Sequence, residues 1–167
     1  MDRQVLVVHV CRIGDVVSGL AVAHCLARRF GTVDVLTSAP GLLEGESGLR
    51  PVTRRQVLER RYDLLVDLTS SRQSRSLAWA VGAKSKMGFY GSPAQRLLHG
   101  LIYTQLIPRR KPEHIVLRYG PVLEALGERV EVLPRLQVPQ AGEQLSRRLL
   151  DVGYGRSSLL GLHIGAG

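Results

Sequence analysis

The clearest pattern in the chain is an apolar run that changes abruptly to helical spacing. Residues 5–10 are apolar apart from His9, and such a run is typical of a parallel strand buried on both faces. From Val16 onward the apolar residues recur at three- and four-residue intervals, which predicts an amphipathic helix. Asp15 therefore lies where a first strand passes into a first helix. In open α/β folds ligands bind at this position, outside the carboxyl ends of the strands.

The same alternation repeats along the chain. Strands are predicted at 33–37, 62–68 and 86–89, helices at 54–61, 72–81 and 113–126, and a surface loop at 41–52. Alternating strands and helices predict an α/β fold, a Rossmann-like parallel sheet with helices on both faces.

The last forty residues have the pattern of a second unit. Residues 128–140 look like a linker, and a helix at 141–152 and a strand at 159–164 follow. Gly165, Ala166 and Gly167 come after that strand, and such a turn normally leads into a helix whose N–H groups face a phosphate. We therefore predict one domain at 1–140 and the truncated beginning of another at 141–167.

The composition is that of an ordinary globular protein, with 44% hydrophobic and 22% charged residues. No apolar run approaches the roughly 18 residues of a membrane-spanning helix. The N-terminus has a strand pattern rather than that of an export segment, and Cys11 and Cys25 match no metal or redox spacing. We therefore expect a cytoplasmic protein with free thiols.

The net charge of +9 is concentrated in the middle of the chain. Residues 50–114 hold 13 Lys and Arg against 4 Asp and Glu, and the remainder is neutral. Such a field attracts an anionic partner, although a solvated basic surface gives the same count. Because aromatic residues make up only 5% and are not interleaved with the basic ones, we do not expect that partner to be nucleic acid.

Residues 91–111 interrupt the alternation with an apolar stripe flanked by basic residues. A stripe of this kind can lie on an anionic membrane surface. More often it packs on its own domain, and the sequence leaves both interpretations open.

Five short blocks, in order along the chain, carry a family resemblance. They are Arg-Ile-Gly-Asp at 12–15, the strand at 62–68, and the segments 82–89, 114–127 and 163–167. In these blocks the chain resembles the lipopolysaccharide heptosyltransferases, glycosyltransferase family 9. That family consists of inverting, metal-independent enzymes with two Rossmann-like domains that face a cleft, the GT-B arrangement.

The resemblance implies that the chain is the N-terminal, acceptor-binding half of such an enzyme. It implies ADP-heptose as the donor substrate, no metal and no separate cofactor. The expected partners are the anionic inner core of lipopolysaccharide, the inner face of the inner membrane, where the protein would be peripheral, and a C-terminal donor-binding domain.

Asp15 matches the family's proposed general base, which would deprotonate an acceptor hydroxyl. From its position alone, Asp15 equally suits the N-cap of the helix. Gly165, Ala166 and Gly167 match the family's turn into the donor site.

Seven further residues are candidates for acceptor contacts. Arg12 lies in the same turn as Asp15 and can bind a carboxylate or phosphate with two hydrogen bonds. Gly14 would allow close approach of the backbone to a ligand, or a positive φ. Four basic residues follow the strand at 62–68 and would extend the anion site: Arg72, Arg75, Lys84 and Lys86. His114 matches a histidine that the family has at the start of its long helix.

The chain departs from the family pattern at 69–71, where Thr-Ser-Ser replaces a stretch that usually holds a glycine, and at Ile164, where a proline is common. Two alternatives stay open: a non-catalytic anion-binding α/β module, and another nucleotide-sugar-dependent GT-B transferase. A dinucleotide site is not supported, because the turn at 11–15 lacks the GxGxxG pattern.

Overall fold

The structure is a computed structural model, and it describes residues 3–109 and 118–128. The strands in these ranges are β1 (Val5–His9), β2 (Val33–Thr37), β3 (Leu49–Pro51), β4 (Arg61–Asp67), β5 (Gly82–Tyr90) and β6 (Gln105–Pro108). The α-helices in the same ranges are α1 (Ile13–Phe30), α2 (Arg54–Glu59), α3 (Arg72–Ala80), α4 (Pro93–His99) and α5 (Gly120–Ala125).

The six strands form one parallel sheet in the order β3-β2-β1-β4-β5-β6. β1 lies between β2 and β4, with Val5 opposite Val33 on one side and Leu64 on the other. The chain therefore builds the sheet outward from β1 in one direction and then, from β4, in the other. This is the Rossmann order, and it places a crevice between the carboxyl ends of β1 and β4. The predicted α/β fold with a parallel sheet is confirmed.

Both faces of the sheet are covered, because side chains alternate along each strand. On β1, Val5 and Val7 belong to the core that includes α1 and α5, whereas Leu6 and Val8 belong to the core that includes α2 and α3. All four are at most 1% exposed. Each such side chain contributes about 1.5–3 kcal/mol by its burial, so the end of β1 is a rigid platform for the turn that follows.

Helix α3 begins directly at the carboxyl edge of the sheet and has a defined first turn. Ser71 accepts a hydrogen bond from the backbone N–H of Ser74, and the Ser74 hydroxyl accepts one from the backbone N–H of Ser71. This reciprocal pair is a capping box, which satisfies two N–H groups that the helix itself leaves unpaired. It fixes the position of the α3 terminus beside the end of β4.

Two predicted boundaries were wrong. The segment 41–52, predicted as a loop, contains part of a 3₁₀ turn at Pro40–Leu43 and the short edge strand β3. β5 begins at Gly82 rather than at residue 86, because its first half is partly exposed and lacks the continuous apolar pattern of a buried strand.

The expectation that residues 91–111 interrupt the alternation was wrong, because this segment forms α4 and the parallel strand β6. Its apolar stripe is divided between the core and the surface. Tyr103 and Ile107 are buried at 3% and 4% exposure, so part of the stripe packs on the domain. Leu97, Leu98 and Leu101, on α4 and just after it, are 61–83% exposed. Within the described ranges, no helix is long and apolar enough to cross a membrane.

Candidate active site

Asp15 lies in the first turn of α1, immediately beyond the carboxyl end of β1. The helix begins at Ile13 and its N-cap is Arg12, which makes no side-chain capping hydrogen bond. The alternative that Asp15 is the N-cap is therefore wrong, and Asp15 is the third helical residue. A carboxylate in a first turn is favoured by the helix dipole, and this one lies beside the crevice between β1 and β4.

The carboxylate of Asp15 is paired with Arg118, which precedes α5. Arg118 Nη1 donates to Asp15 Oδ1 at 2.6 Å, and the two side chains are 44% and 25% exposed. Among the described residues, Asp15 Oδ2 has no hydrogen-bond partner. One oxygen is thus held by a cation while the other is open to a ligand.

Arg118 was not among the residues predicted from the sequence. It lies 103 residues from Asp15 along the chain, and their contact depends on the packing of α5 against α1. A signal was present, since Arg118 falls in one of the blocks that carry the family resemblance.

His9 lies close to this pair and belongs to the core. Its side chain is 2% exposed, and its Nε2 is hydrogen-bonded to the Tyr119 hydroxyl at 2.9 Å. Burial lowers the pKa of His9 to about 4, with Arg118 acting in the same direction and Asp15 opposing it. The neutral ring links β1 to the residue next to Arg118, so it supports the pair rather than acting as a base itself.

Cys11 is also close to Asp15, but its thiol is poorly suited to act as a nucleophile. Burial, with a further contribution from the charge of Asp15, raises the pKa of Cys11 to about 11. The thiolate, the reactive form, is therefore scarce at neutral pH. Asp15 is the better candidate for chemistry at this turn.

A pocket of about 230 Å³ opens at the same edge of the sheet. It lies between the ends of β1 and β2 and the start of α3, on the face opposite to α1. Apolar side chains and a polar rim line it together: Val8, Val10, Leu36 and Leu77, with Thr37, Arg54, Ser71, Gln73 and Ser74. A mixed lining of this kind suits a ligand with an apolar face and several hydroxyls.

Arg12 and Gly14 lie in the same turn as Asp15, and both are exposed. Gly14 does not have a positive φ, so that part of the prediction was wrong, because Gly14 lies within the first helical turn. A Cβ added at Gly14 would meet no atom within 4 Å. The space beside this backbone is therefore open to a ligand.

Arg72 is the first residue of α3 and is exposed at the edge of the sheet, beyond the end of β4. Arg72 therefore lies at the same edge of the sheet as the turn that holds Arg12 and Asp15, since β4 pairs with β1.

Lys84 and Lys86 do not lie at this edge. Since β5 begins at Gly82, both residues fall inside the strand and before its carboxyl end. Lys84 Nζ lies 2.7 Å from Asp63 Oδ1, near the amino edge of the sheet. Lys86 Nζ donates to the carbonyl of Ala78 at 2.6 Å, and burial lowers the pKa of Lys86. The expectation that the two lysines extend a site around Asp15 is corrected by this placement.

The loop after β4 keeps a conformation that favours glycine although it contains none. Ser70 has a φ of +52°, the one non-glycine residue with positive φ in the described ranges. Asp67, fully buried at the end of β4, accepts from the backbone N–H groups of Thr69 and Ser70 at 2.9 Å each. These bonds hold the strained backbone, at the stretch where the family usually has a glycine.

Four predicted site residues lie outside the described residues: His114, Gly165, Ala166 and Gly167. The predicted linker and the beginning of a second domain lie there as well. Among the described residues, no group of three or more His, Cys, Asp or Glu side chains could hold a metal ion.

The fold and this edge together define a Rossmann-like α/β domain with a carboxylate–arginine pair beside its crevice. The chain matches no protein-family model, and a comparison with curated proteins finds no match. Among solved structures it is similar to the E. coli heptosyltransferase WaaC with ADP, with a TM-score of 0.63 and 18% identity over 78% of this chain and 50% of that one. It is also similar to a glycosyl transferase of family 9 from Veillonella parvula DSM 2008, with a TM-score of 0.70 and 15% identity over 92% of this chain and 51% of that one.

The same E. coli enzyme with ADP-2-deoxy-2-fluoro heptose gives a TM-score of 0.60 at 18% identity, over 78% of this chain and 51% of that one. The chain therefore spans about half the length of the solved structures it matches. At these identities the likeness shows that the chain shares its fold with about half of each of these structures.

Proposed function

We propose that this chain is the acceptor-binding part of a glycosyltransferase that transfers heptose from ADP-heptose to the inner core of lipopolysaccharide. The observation that carries the proposal is Asp15, a partly exposed carboxylate at the crevice of the sheet. The fold shared with heptosyltransferase structures supports it. The donor would bind mainly to a second domain, and no metal or separate cofactor would take part.

The chemistry proposed for Asp15 is general-base catalysis. The open oxygen of its carboxylate would accept the proton of an acceptor hydroxyl as that hydroxyl oxygen attacks the anomeric carbon of the donor. The new carbon–oxygen bond forms while the bond to ADP breaks from the opposite face, so the configuration inverts and ADP leaves with the bonding electrons. A base in hydrogen-bond reach contributes roughly 10²–10⁴-fold to such a step.

Arg118 would position the base. Its bond to one oxygen of Asp15 would fix the orientation of the carboxylate, and the other oxygen has no partner among the described residues. Once the acceptor hydroxyl has bound, the same cation can also interact with acidic groups of the acceptor.

The acceptor proposed here is anionic, and the charge distribution supports that choice. Arg12 and Arg72 are exposed at the edge where Asp15 lies, and either can bind a carboxylate or phosphate with two parallel hydrogen bonds. The exposed leucines of α4 would face the inner membrane surface, where this acceptor is found, and the protein would be cytoplasmic and peripheral to that membrane.

The decisive test is Asp15→Asn in the complete protein, assayed with ADP-heptose and a lipopolysaccharide core acceptor. The amide keeps the shape but cannot take the proton, so we expect kcat to fall roughly 10²–10⁴-fold. Glu59→Gln is the matched control, because Glu59 is an exposed carboxylate paired with Arg55 on α2. Near-normal turnover in the Asp15 variant would remove Asp15 from the mechanism.

Binding measurements separate this function from the two alternatives. Since the chain spans about half of the matched structures, we expect it to bind the core oligosaccharide but not to transfer heptose alone. Titration with core oligosaccharide and with RNA at two salt concentrations tests this. Tight, salt-dependent RNA binding with no saccharide response would favour a non-catalytic anion-binding module, and turnover of another nucleotide sugar would favour a different transferase.

A further inference from the structure

We propose that a second pocket at the carboxyl edge binds a single phosphate monoester group. This basic pocket is defined by Ser70, Arg75, Gly91, Gln95, His99 and Arg109. It lies beyond the ends of β4, β5 and β6, on the side of β4 away from β1. The inference stands on this pocket alone and holds whether or not Asp15 is catalytic.

The basic pocket has an excess of positive charge. Arg75 and Arg109 line it, and no carboxylate does. Between Asp67 and Glu113 the sequence contains no Asp or Glu. Among the described residues, neither arginine forms an ion pair. The carboxylate next to this pocket in sequence, Asp67, is fully buried and accepts from Thr69, Ser70 and Tyr103 instead. Two cations that line a small polar space without a carboxylate in its wall favour an anionic ligand.

Both arginines contact neighbouring groups of the domain, although Arg109 is exposed. Arg75 Nη1 donates to the carbonyl of Ser70 at 3.0 Å. The guanidinium carbon of Arg109 lies 6.0 Å from the centre of the Phe89 ring, and its backbone N–H donates to the carbonyl of Tyr90 at 2.8 Å. Each guanidinium has five N–H donors, so most of them stay free for a ligand. Preorganised donors of this kind lose less entropy on binding.

The neutral groups of the basic pocket are also oriented. Gln95 Oε1 accepts from the backbone N–H of Gly91 at 2.8 Å, which leaves its amide nitrogen as a donor. His99 is 3% exposed, and its Nδ1 lies 2.9 Å from the carbonyl oxygen of Phe89. A carbonyl oxygen can only accept, so Nδ1 carries the proton and the ring is fixed against the wall.

The backbone of Ser70 is strained, because its positive φ is a conformation that residues other than glycine rarely adopt. This backbone presents the carbonyl that accepts from Arg75. The Ser70 hydroxyl oxygen accepts from the backbone N–H of Phe89 at 3.3 Å, which ties this loop to β5. Strain that is retained at the wall of a pocket is typical of a binding site.

Size and charge select the ligand. The pocket has a volume of about 50 Å³, and since a water needs roughly 10–15 Å³ by a comparable measure, it holds a few oxygen-sized atoms but not a sugar ring. A phosphate monoester carries about −1.5 to −2 charges at pH 7, so it matches two arginines better than a carboxylate does. The phosphoryl group would enter while the molecule that bears it stays outside.

The test is calorimetric titration of the 167-residue chain with inorganic phosphate. We expect saturable binding in the wild type, weakened about tenfold or more in Arg75→Gln, because charge-assisted hydrogen bonds are lost. Arg109→Lys keeps the charge but loses the planar donor pair, and should also bind more weakly. Arg61→Gln, at the amino end of β4, removes the same charge outside the pocket and should bind as the wild type does.

Melting curves without phosphate show whether each variant is folded, and binding is compared only among folded variants. Glucose 6-phosphate and vesicles containing phosphatidic acid then show whether the bound phosphate group belongs to a soluble molecule or to a lipid. Competition by the sugar phosphate indicates a soluble ligand, and vesicle binding that phosphate reverses indicates a lipid headgroup. The proposal is overturned if the folded chain shows no saturable binding, if acetate binds as tightly, or if both pocket variants bind as the wild type does.

Discussion

The two sides of the sheet along its strand order, one around β1 to β3 and the other beyond β4, differ in whether their arginines are paired with carboxylates. On the side of β1 to β3, Arg50 and Arg60 both bind the carboxylate of Asp34, which is 1% exposed, at 2.6 and 2.8 Å. The side formed by residues 68–109 contains no Asp or Glu. Of its six cations, Lys84 is the one with a carboxylate partner among the described residues.

This difference separates structural charge from charge that is available to a ligand. A cation bound to a buried carboxylate is part of the fold, because breaking the pair leaves a buried charge without a partner. A cation without a counter-charge contributes little to stability and is free to bind an anion. The pair of Asp15 and Arg118 is intermediate, since both side chains are partly exposed and an incoming ligand can reach them.

Asp34→Ala tests the structural side and should have the largest effect on stability. Asp34 accepts from Arg50, Arg60 and the Tyr62 hydroxyl, so the variant leaves three donors without their acceptor. Because the arginines are partly exposed, we expect the lower end of the range for a broken buried pair, about 3–4 kcal/mol of unfolding free energy. Urea unfolding of both proteins measures it.

Glu59→Gln is the control for this measurement, since it breaks the exposed ion pair with Arg55 and should change stability by less than about 0.5 kcal/mol. An Asp34 variant that is no less stable than this control would show that the buried network is not structural.

The pH dependence of stability should report the buried His9. Burial lowers the pKa of His9 to about 4, below its ordinary 6.5. Between these values the unfolded chain binds a proton that the native protein does not, so this contribution is complete above pH 6.5 and is lost as the pH falls toward 4. The loss is at most about 3 kcal/mol.

Subtracting the pH curve of His9→Gln from that of the wild type isolates this contribution, because the carboxylates titrate in both proteins. Parallel curves between pH 4 and 6.5 would mean that His9 titrates normally in the folded state.

A pair of glycine variants on α1 tests how tightly the β1 side is packed. A Cβ at Gly19 would lie 2.1 Å from the His9 ring, whereas one at Gly14 would meet nothing. We expect Gly19→Ala to cost about 1–3 kcal/mol of unfolding free energy through overpacking. Gly14→Ala should be neutral or stabilising, since alanine is the better helix former by about 1 kcal/mol. Equal melting temperatures for the two variants would contradict the contact with His9.

The sequence predicted those parts of the site that depend on local pattern. The apolar run of β1 and the helical spacing of α1 place Asp15 at the edge, since both signals lie within about twenty residues of it. The arginine on Asp15 was missed, because Arg118 comes from a distant segment and no local pattern reports such a contact.

The remaining errors have a physical cause as well. β3 has three residues, of which Arg50 and Pro51 are exposed, so it lacks the pattern of a strand. The start of β5 was placed too late for the same reason, and this error put Lys84 and Lys86 at the wrong place. The basic pocket is formed by three loops that are separate in the sequence. The sequence therefore shows the excess of positive charge in this region but not that these loops meet.

Arg72→Gln should have the smallest effect on stability, and it tests the side without carboxylates. Arg72 is exposed at the start of α3 and has no ion-pair partner among the described residues. We expect unfolding free energies within about 0.5 kcal/mol of the wild type, with a slight gain at low salt because repulsion among like charges is reduced. Urea unfolding at two salt concentrations measures both. A loss above about 1 kcal/mol would show that this arginine is bound as part of the fold, and the contrast between the two sides would no longer hold.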